Sequence, residues 1–272
     1  MGRLARVLSI ASSDSGGGAG IQADLRAFAA AGCHGSTVIV ALTAQNTREV
    51  TAIHPVPEGF IVAQMDAVFD DIGVDAAKTG MLLSAEIIET VAGALAARRV
   101  PLVVDPVMVA SSGARLLRED AVEVMVRRLF PLASVVTPNL PEARLLTGAR
   151  GSRHDLAERI CAMGAAAVII TGGHGEPAVD HLFDGTDHLE IPVPRHDIAA
   201  THGAGCTHSA TLTALLGQGW ALPDAAGAAA EVASRAVAAG LVDIGEGEGP
   251  VDVLDTRTRA RPAPVLTARR SA

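Results

Sequence analysis

The chain has 272 residues, 49% hydrophobic and only 2% aromatic with no tyrosine, and its formal charge is −8. That length buries a substantial core, as one large α/β domain or two small ones, while the acidic balance and scarcity of stacking rings exclude a nucleic-acid binder. No apolar run reaches a membrane span.

The segment after Met1 leads straight into a strand-like run with no signal-peptide core, and Cys33, Cys161 and Cys206 are odd in number and widely spaced. Both features predict a reducing, cytoplasmic setting without a disulfide framework. Without a CxxC pair, the nine histidines are expected to have no zinc cluster.

Taken in chain order, Arg6 to Ser12 reads as a buried strand. Gly20 to Ala31 reads as a helix with Ile21, Leu25 and Phe28 on one face, and Ser36 to Leu42 as a β-branched strand. Pro57 to Ile72 is predicted helical, with Ile61, Met65, Val68 and Ile72 at spacings of four, three and four. Asp75 to Lys78, Leu102 to Asp105, Ser134 to Thr137 and Ala165 to Ile170 read as strands. Between them come helices at 84–98 and 119–129, and helical turns around Leu140 to Leu146 and Asp155 to Met163.

Val179 to Phe183 and His188 to Val193 form a predicted hairpin across Asp184-Gly185, and helices follow at roughly 206–216 and 223–240. This rhythm implies an α/β fold with a mostly parallel central sheet and helices on both faces. One domain is expected over 1–254, with a flexible, solvated tail over 255–272.

In such sheets ligands bind beyond the carboxyl ends of the strands, and the residues with chemistry fall there. After the first strand comes Asp14 with the glycine run Gly16-Gly17-Gly18-Ala19-Gly20, which is neither a Walker A loop nor the spaced dinucleotide fingerprint. Such a run lets backbone approach a ligand, and an ordinary βα turn would look the same. Gln45 follows the second strand, its carboxamide offering both donor and acceptor to a heteroaromatic ring. Asp105 and Glu142 are hard oxygen donors suited to Mg2+. Lys78 is the single lysine among 22 basic residues; a compact ammonium in a tight site would explain its survival, and so would chance.

The last and most informative segment is Thr201-His202-Gly203-Ala204-Gly205-Cys206-Thr207, which opens a helix. Backbone N–H groups converging at a helix N-terminus suit a phosphate or developing oxyanion. The same field is expected to lower the pKa of Cys206 and make it an acid/base group. The alternative is a capped helix with Cys206 as a small buried hydrophobe.

The segments SDSGGGAGIQAD, TAQNT, AAKTGM, VDPVM, TPNLPEA, GGH and THGAGC, in this order and spacing, resemble the hydroxymethylpyrimidine/phosphomethylpyrimidine kinases of thiamine biosynthesis, which belong to the ribokinase-like superfamily. The resemblance covers about Arg6 to Pro250. It implies a ribokinase-like fold, a homodimer, and use of ATP and Mg2+ on a small-molecule pyrimidine.

It further implies that Cys206 is the catalytic base, with Gly203, Ala204, Gly205 and Cys206 offering N–H groups to the transferring phosphoryl. Gln45 would bind the pyrimidine, with Asp14, Gly20, Met81 and Val107 around it. Asn139, Thr171, Gly173 and His202 would lie near the nucleotide, and Asp105 and Glu142 near the metal.

Two departures stand out: Thr171 replaces a lysine common before Gly-Gly-His, and Ser12 a frequent glycine. Pyridoxal or pyridoxine kinase is the nearest rival reading, and a non-catalytic vitamer-binding protein on the same scaffold a more distant one.

Overall fold

In the computed structural model the described residues are 3–108, 117, 119–174 and 177–259. The strands are β1 (Arg6–Asp14), β2 (His34–Gln45), β3 (Val50–Pro55), β4 (Ala76–Thr79), β5 (Leu102–Val104), β6 (Val135–Val136), β7 (Val168–Ile170), β8 (Val179–Phe183) and β9 (His188–Pro192). The helices are α1 (Gly20–Ala30), α2 (Glu58–Ala67), α3 (Ala85–Ala96), α4 (Glu119–Arg128), α5 (Leu140–Thr147), α6 (Arg153–Ala162), α7 (Ala204–Gly217) and α8 (Leu222–Ala238).

The nine strands among the described residues form one sheet in the order β3-β2-β1-β4-β5-β6-β7-β8-β9. The six from β2 to β7 run parallel, and β3, β8 and β9 add antiparallel edges.

Alternation along the strands divides the core into two layers. Leu8, Ile10, Val38 and Val104 face one side, where they meet Ile61, Ile88, Leu129 and Ile160 from α2, α3, α6 and the turn after α4. Val103, Val135 and Ile169 face the other and pack on Leu212, Leu215 and Ala225 of α7 and α8. Val7 and Ala76 meet Phe28 of α1 on that second face. Burying a side chain the size of Phe28 stabilises the fold by about 1.5–3 kcal/mol, so α1 and α7 are clamped to the strands whose ends carry the site.

Three local differences from the sequence reading have physical causes. Strand β3 has no apolar alternation, because four of its six residues are exposed at the sheet edge. The helix expected through Ile72 changes after Ala67 into a wider π-type turn, which closes where the Gly73 N–H donates to the Val68 carbonyl at 2.9 Å. At the other end of the chain, residues 256–258 form a turn within the stretch read as tail. Asp252 accepts from the Thr256 N–H and hydroxyl, at 2.6 and 2.8 Å; residues 260–272 lie outside the described residues.

Candidate active site

The carboxyl ends of β1, β2, β4 and β5 converge on the N-terminus of α7, and two glycine-rich loops interlock there. Gly203 is the N-cap of α7 with φ +84°, and a Cβ on it would stand 1.9 Å from the Gly18 carbonyl oxygen. A Cβ on Gly18 would in turn stand 2.1 Å from the His202 ring. No side chain fits between these loops, so the first glycine run packs against the second as much as it opens space for a ligand.

Asp14 holds the first loop in place. Its carboxylate accepts from the N–H groups of Gly16, Gly18 and Ala19 at 2.8, 3.0 and 2.8 Å, and lies 3.1 Å from His202 Nε2. Burial works against its charge, but His202 and the Ala19 and Gly16 amides outweigh burial and hold the carboxyl below its usual range. Asp14 therefore organises the loop.

Gln45 stands beside it, its Oε1 accepting from Thr43 Oγ1 at 3.2 Å and its Nε2 lying 3.4 Å from His202 Nε2. Ser12 sits where the register of β1 shifts against β2, and its hydroxyl donates to the Met81 carbonyl at 3.0 Å. The hydroxyl that departs from the family pattern thus ties β1 to the loop after β4. In that loop Leu83 takes φ +68°, a strained conformation for a bulky side chain.

At the start of α7 the Thr207 N–H reaches the Gly203 carbonyl at 2.8 Å. The Ala204 N–H closes a turn onto the Thr201 carbonyl at 3.0 Å. Gly205 and Cys206 present first-turn N–H groups that no carbonyl of the helix can reach. A Cβ on Gly205 would meet only open space, so a ligand can approach the backbone there.

The Cys206 thiol behaves opposite to expectation. Burial pushes its pKa up to about 12; Lys78 and the Gly20 N–H pull it down, while Asp24 and Asp105 push it further up. Desolvation and two carboxylates together outweigh the helix field, so the resting group is a neutral thiol. Gly20 serves this thiol through its backbone N–H, and its φ of +57° brings the Cβ position within 2.3 Å of the Ser12 carbonyl oxygen.

Lys78 is the electrostatic centre of this region and wholly buried. Its Nζ contacts Asp24 Oδ1 at 2.7 Å and lies 3.8 Å from Asp105 Oδ2. Burial disfavours the ammonium, but the Asp24 and Asp105 carboxylates outweigh it and keep the lysine charged. Asp24 also accepts from Ser9 Oγ at 2.5 Å, and Asp105 from Ser209 Oγ at 2.8 Å.

The opposite rim is built from the ends of β5, β6 and β7. Asn139 caps α5 by accepting from the Glu142 N–H, while Glu142 accepts from the Asn139 N–H, both at 2.9 Å. Burial and the Asp105 charge raise Glu142 to about 8, against the Asn139 and Met108 amides. The Thr79 and Thr137 hydroxyls are buried without partners among the described residues. Two carboxylates that repel each other at adjoining strand ends fit a hard divalent cation, so Asp105 and Glu142 suit Mg2+.

Thr171 is half-buried and its N–H donates to the Pro138 carbonyl at 2.9 Å, which places it beside Asn139. Gly173 is exposed over open space. The Gly172 N–H donates to Asp180 at 2.7 Å, and His208 Nε2 of α7 lies 3.1 Å from the other oxygen of that carboxylate. Met81 is buried and Val107 half-buried at the strand ends.

A model of the phosphomethylpyrimidine kinase family matches residues 14–252. The chain belongs to that family. It is 49% identical over 252 residues, 90% of this chain and 95% of the relative, to hydroxymethylpyrimidine/phosphomethylpyrimidine kinase of Rhizobium meliloti strain 1021. Among solved structures it is similar to phosphomethylpyrimidine kinase of Clostridium difficile 630 (TM-score 0.77, 38% identity, 86% of this chain and all of that one). It is also similar to an ADP complex of Bacillus subtilis pyridoxal kinase (TM-score 0.86, 36% identity, 94% of this chain and all of that one). The ribokinase-like fold read from the sequence is the fold of these kinases.

In this phosphomethylpyrimidine kinase family member three site residues escaped the sequence reading. Asp24 had a signal: a carboxylate within the apolar stripe Ile21, Leu25, Phe28, which must be paired once buried. Ser209 and Asp180 had none, because only the packing of α7 against the strand ends gives them their partners.

Proposed function

We propose that this chain is an ATP- and Mg2+-dependent kinase that phosphorylates 4-amino-5-hydroxymethyl-2-methylpyrimidine and then its monophosphate, making the diphosphate for thiamine biosynthesis. The observation that carries this reading is the placement of Cys206 in the first turn of α7, against Lys78 and across from Asp105 and Glu142. That placement supports a reading in which a proton acceptor, backbone donors and a cation site share one cleft.

In this mechanism Gln45 holds the aminopyrimidine edge and Met81 and Val107 pack on the ring. Cys206 first gives its thiol proton to solvent; the thiolate then takes the proton of the hydroxymethyl group as its oxygen attacks the γ-phosphorus and ADP leaves. The Gly205 and Cys206 N–H groups receive the transferring phosphoryl, and Lys78 supplies the fixed positive charge that favours thiolate at Cys206. Asn139, Thr171, Gly173 and His202 border the nucleotide. Asp105 and Glu142 would hold Mg2+, which would supply charge neutralisation on the phosphates. Binding and orientation contribute most of the rate, since phosphoryl transfer leaves little covalent chemistry for the protein.

The likeness to pyridoxal kinase supports a second reading, in which pyridoxal takes the pyrimidine's place. The setting is a cytoplasmic homodimer; exposed Leu42 and Phe60, on β2 and the adjoining α2, supply apolar surface for a second copy. Among the described residues no helix is long and apolar enough to cross a membrane.

The deciding experiment follows ATP consumption with Mg2+ on hydroxymethylpyrimidine, its monophosphate and pyridoxal in parallel, with products identified by mass. Turnover of both pyrimidines with little on pyridoxal is expected. Activity on pyridoxal alone would move the protein to vitamin B6 salvage, and binding without turnover would leave a ligand-binding scaffold.

A further inference from the structure

The histidines expected to have no metal partners gather at the β8–β9 edge, four strands across the sheet from Lys78 on β4. His154 and Glu158 lie one turn apart on α6, His188 opens β9, and His181 lies on β8. Glu158 Oε1 stands 3.6 Å from His154 Nδ1 and 3.5 Å from His188 Nε2. One ligand atom from each of these three residues falls within 4.8 Å of the other two. Ligands of a tetrahedral Zn2+ sit roughly 3.3 Å apart, given bonds of about 2.0–2.1 Å. Small side-chain rotations close that gap.

A second, independent observation points to the same spot. His181 is 4% exposed, and its Nε2 lies 2.8 Å from His188 Nδ1. Its own Nδ1 is buried with no hydrogen-bond partner among the described residues, and Glu190 Oε1 stands 4.0 Å away. When His188 Nε2 binds a metal, its Nδ1 must carry the proton and donate to His181 Nε2. The proton of His181 then sits on Nδ1, facing Glu190. A metal-binding histidine is held by such a hydrogen bond to its far nitrogen, and here the partner is already in place.

We propose that His154, Glu158 and His188 form a second metal site, separate from the phosphoryl-transfer cleft, for a borderline divalent ion such as Zn2+, which links α6 to the β8–β9 hairpin. Two imidazoles and one carboxylate favour Zn2+, Ni2+ or Cu2+ over Mg2+. The side chains of His154 and Glu158 are 52% and 51% exposed, so water completes the coordination. The His154 ring stacks on His188 at 3.5 Å, and its exposure lets it turn out of the stack to bring its lone pair onto the ion.

The test is a Zn2+ titration of the full chain, without a polyhistidine tag and with Mg2+ present, against a chromophoric chelator. Wild type should bind one equivalent, and His154→Ala and Glu158→Gln should each weaken binding at least tenfold. A His154→Ala/His188→Ala double variant should abolish it while keeping the far-ultraviolet circular dichroism and kinase turnover. With Co2+ the complex should show d–d bands without thiolate charge transfer, which separates this site from the cysteines. Unchanged affinity in His154→Ala, which removes only an exposed side chain, would overturn the proposal. So would a thiolate band, or wild-type binding no tighter than millimolar.

Discussion

The two walls of the cleft are built on opposite electrostatic plans. On the β1 side every charge has its partner in the protein: Asp14 receives three backbone amides and His202, and Lys78 meets Asp24. On the β5–β6 side burial and the Asp105 charge oppose ionisation of Glu142, and the Thr137 hydroxyl lacks a partner among the described residues. The first wall is finished by folding, and the second is finished by what binds. A kinase needs both, because a preformed cradle fixes the acceptor while the site of the phosphates must stay short of positive charge until they arrive with their cation.

The largest effect should come from the residue between the walls. Cys206→Ser should fold as wild type and lose about 10²–10⁴-fold in kcat, the usual worth of a general base. Steady-state kinetics with circular dichroism checks this, and turnover near wild type would remove Cys206 from proton transfer. Next comes the finished wall. Lys78→Met leaves Asp24 without its ion-pair partner in the core and should cost about 3–5 kcal/mol in urea unfolding. Adding Asp24→Asn should recover part of that loss. A loss under about 1 kcal/mol would mean the region tolerates unpaired charge far better than buried ion pairs do, and the contrast between the walls would fail.

The finished wall was also the harder one to read. Strand and helix periodicity gave the parallel centre, both faces of helices and the β8–β9 hairpin, because buried parallel strands and amphipathic helices carry their pattern locally. Strand β3 was missed because an edge strand exposed on both faces has none. At the site, Asp14, Gln45, Asp105, Glu142 and Cys206 could be picked out as polar groups at strand or helix ends. Their division of labour could not, because it depends on partners distant in sequence: Asp14 on His202, Cys206 on Lys78 and Asp24. The shift of the Cys206 pKa runs opposite to the sequence expectation for that reason. The helix field is visible in the sequence, and the burial and two carboxylates that oppose it arrive only with the fold. Lys78 was conspicuous by composition alone, and its partner Asp24 completes the explanation.

The smallest expected effect sharpens the contrast from the unfinished wall. Glu142 has a folded pKa near 8 against an ordinary 4.5, because burial and Asp105 oppose its charge. A carboxyl with a raised folded pKa binds its proton more tightly in the native state, so its contribution to stability is full below 4.5 and is lost as pH rises to about 8. Glu142→Gln cannot ionise, and it keeps the acceptor that caps the Asn139 N–H. The variant should therefore match wild type below pH 4.5 and exceed it by about 1–2 kcal/mol at pH 8 without Mg2+, a fraction of the full linkage because Glu142 is partly open to water. Added Mg2+ should raise the melting temperature of wild type and narrow that difference, since a bound cation stabilises the state that holds it. Should Glu142→Gln instead be less stable at pH 8, the carboxylate would be held mainly by its amide contacts, and this wall would be as finished as the other.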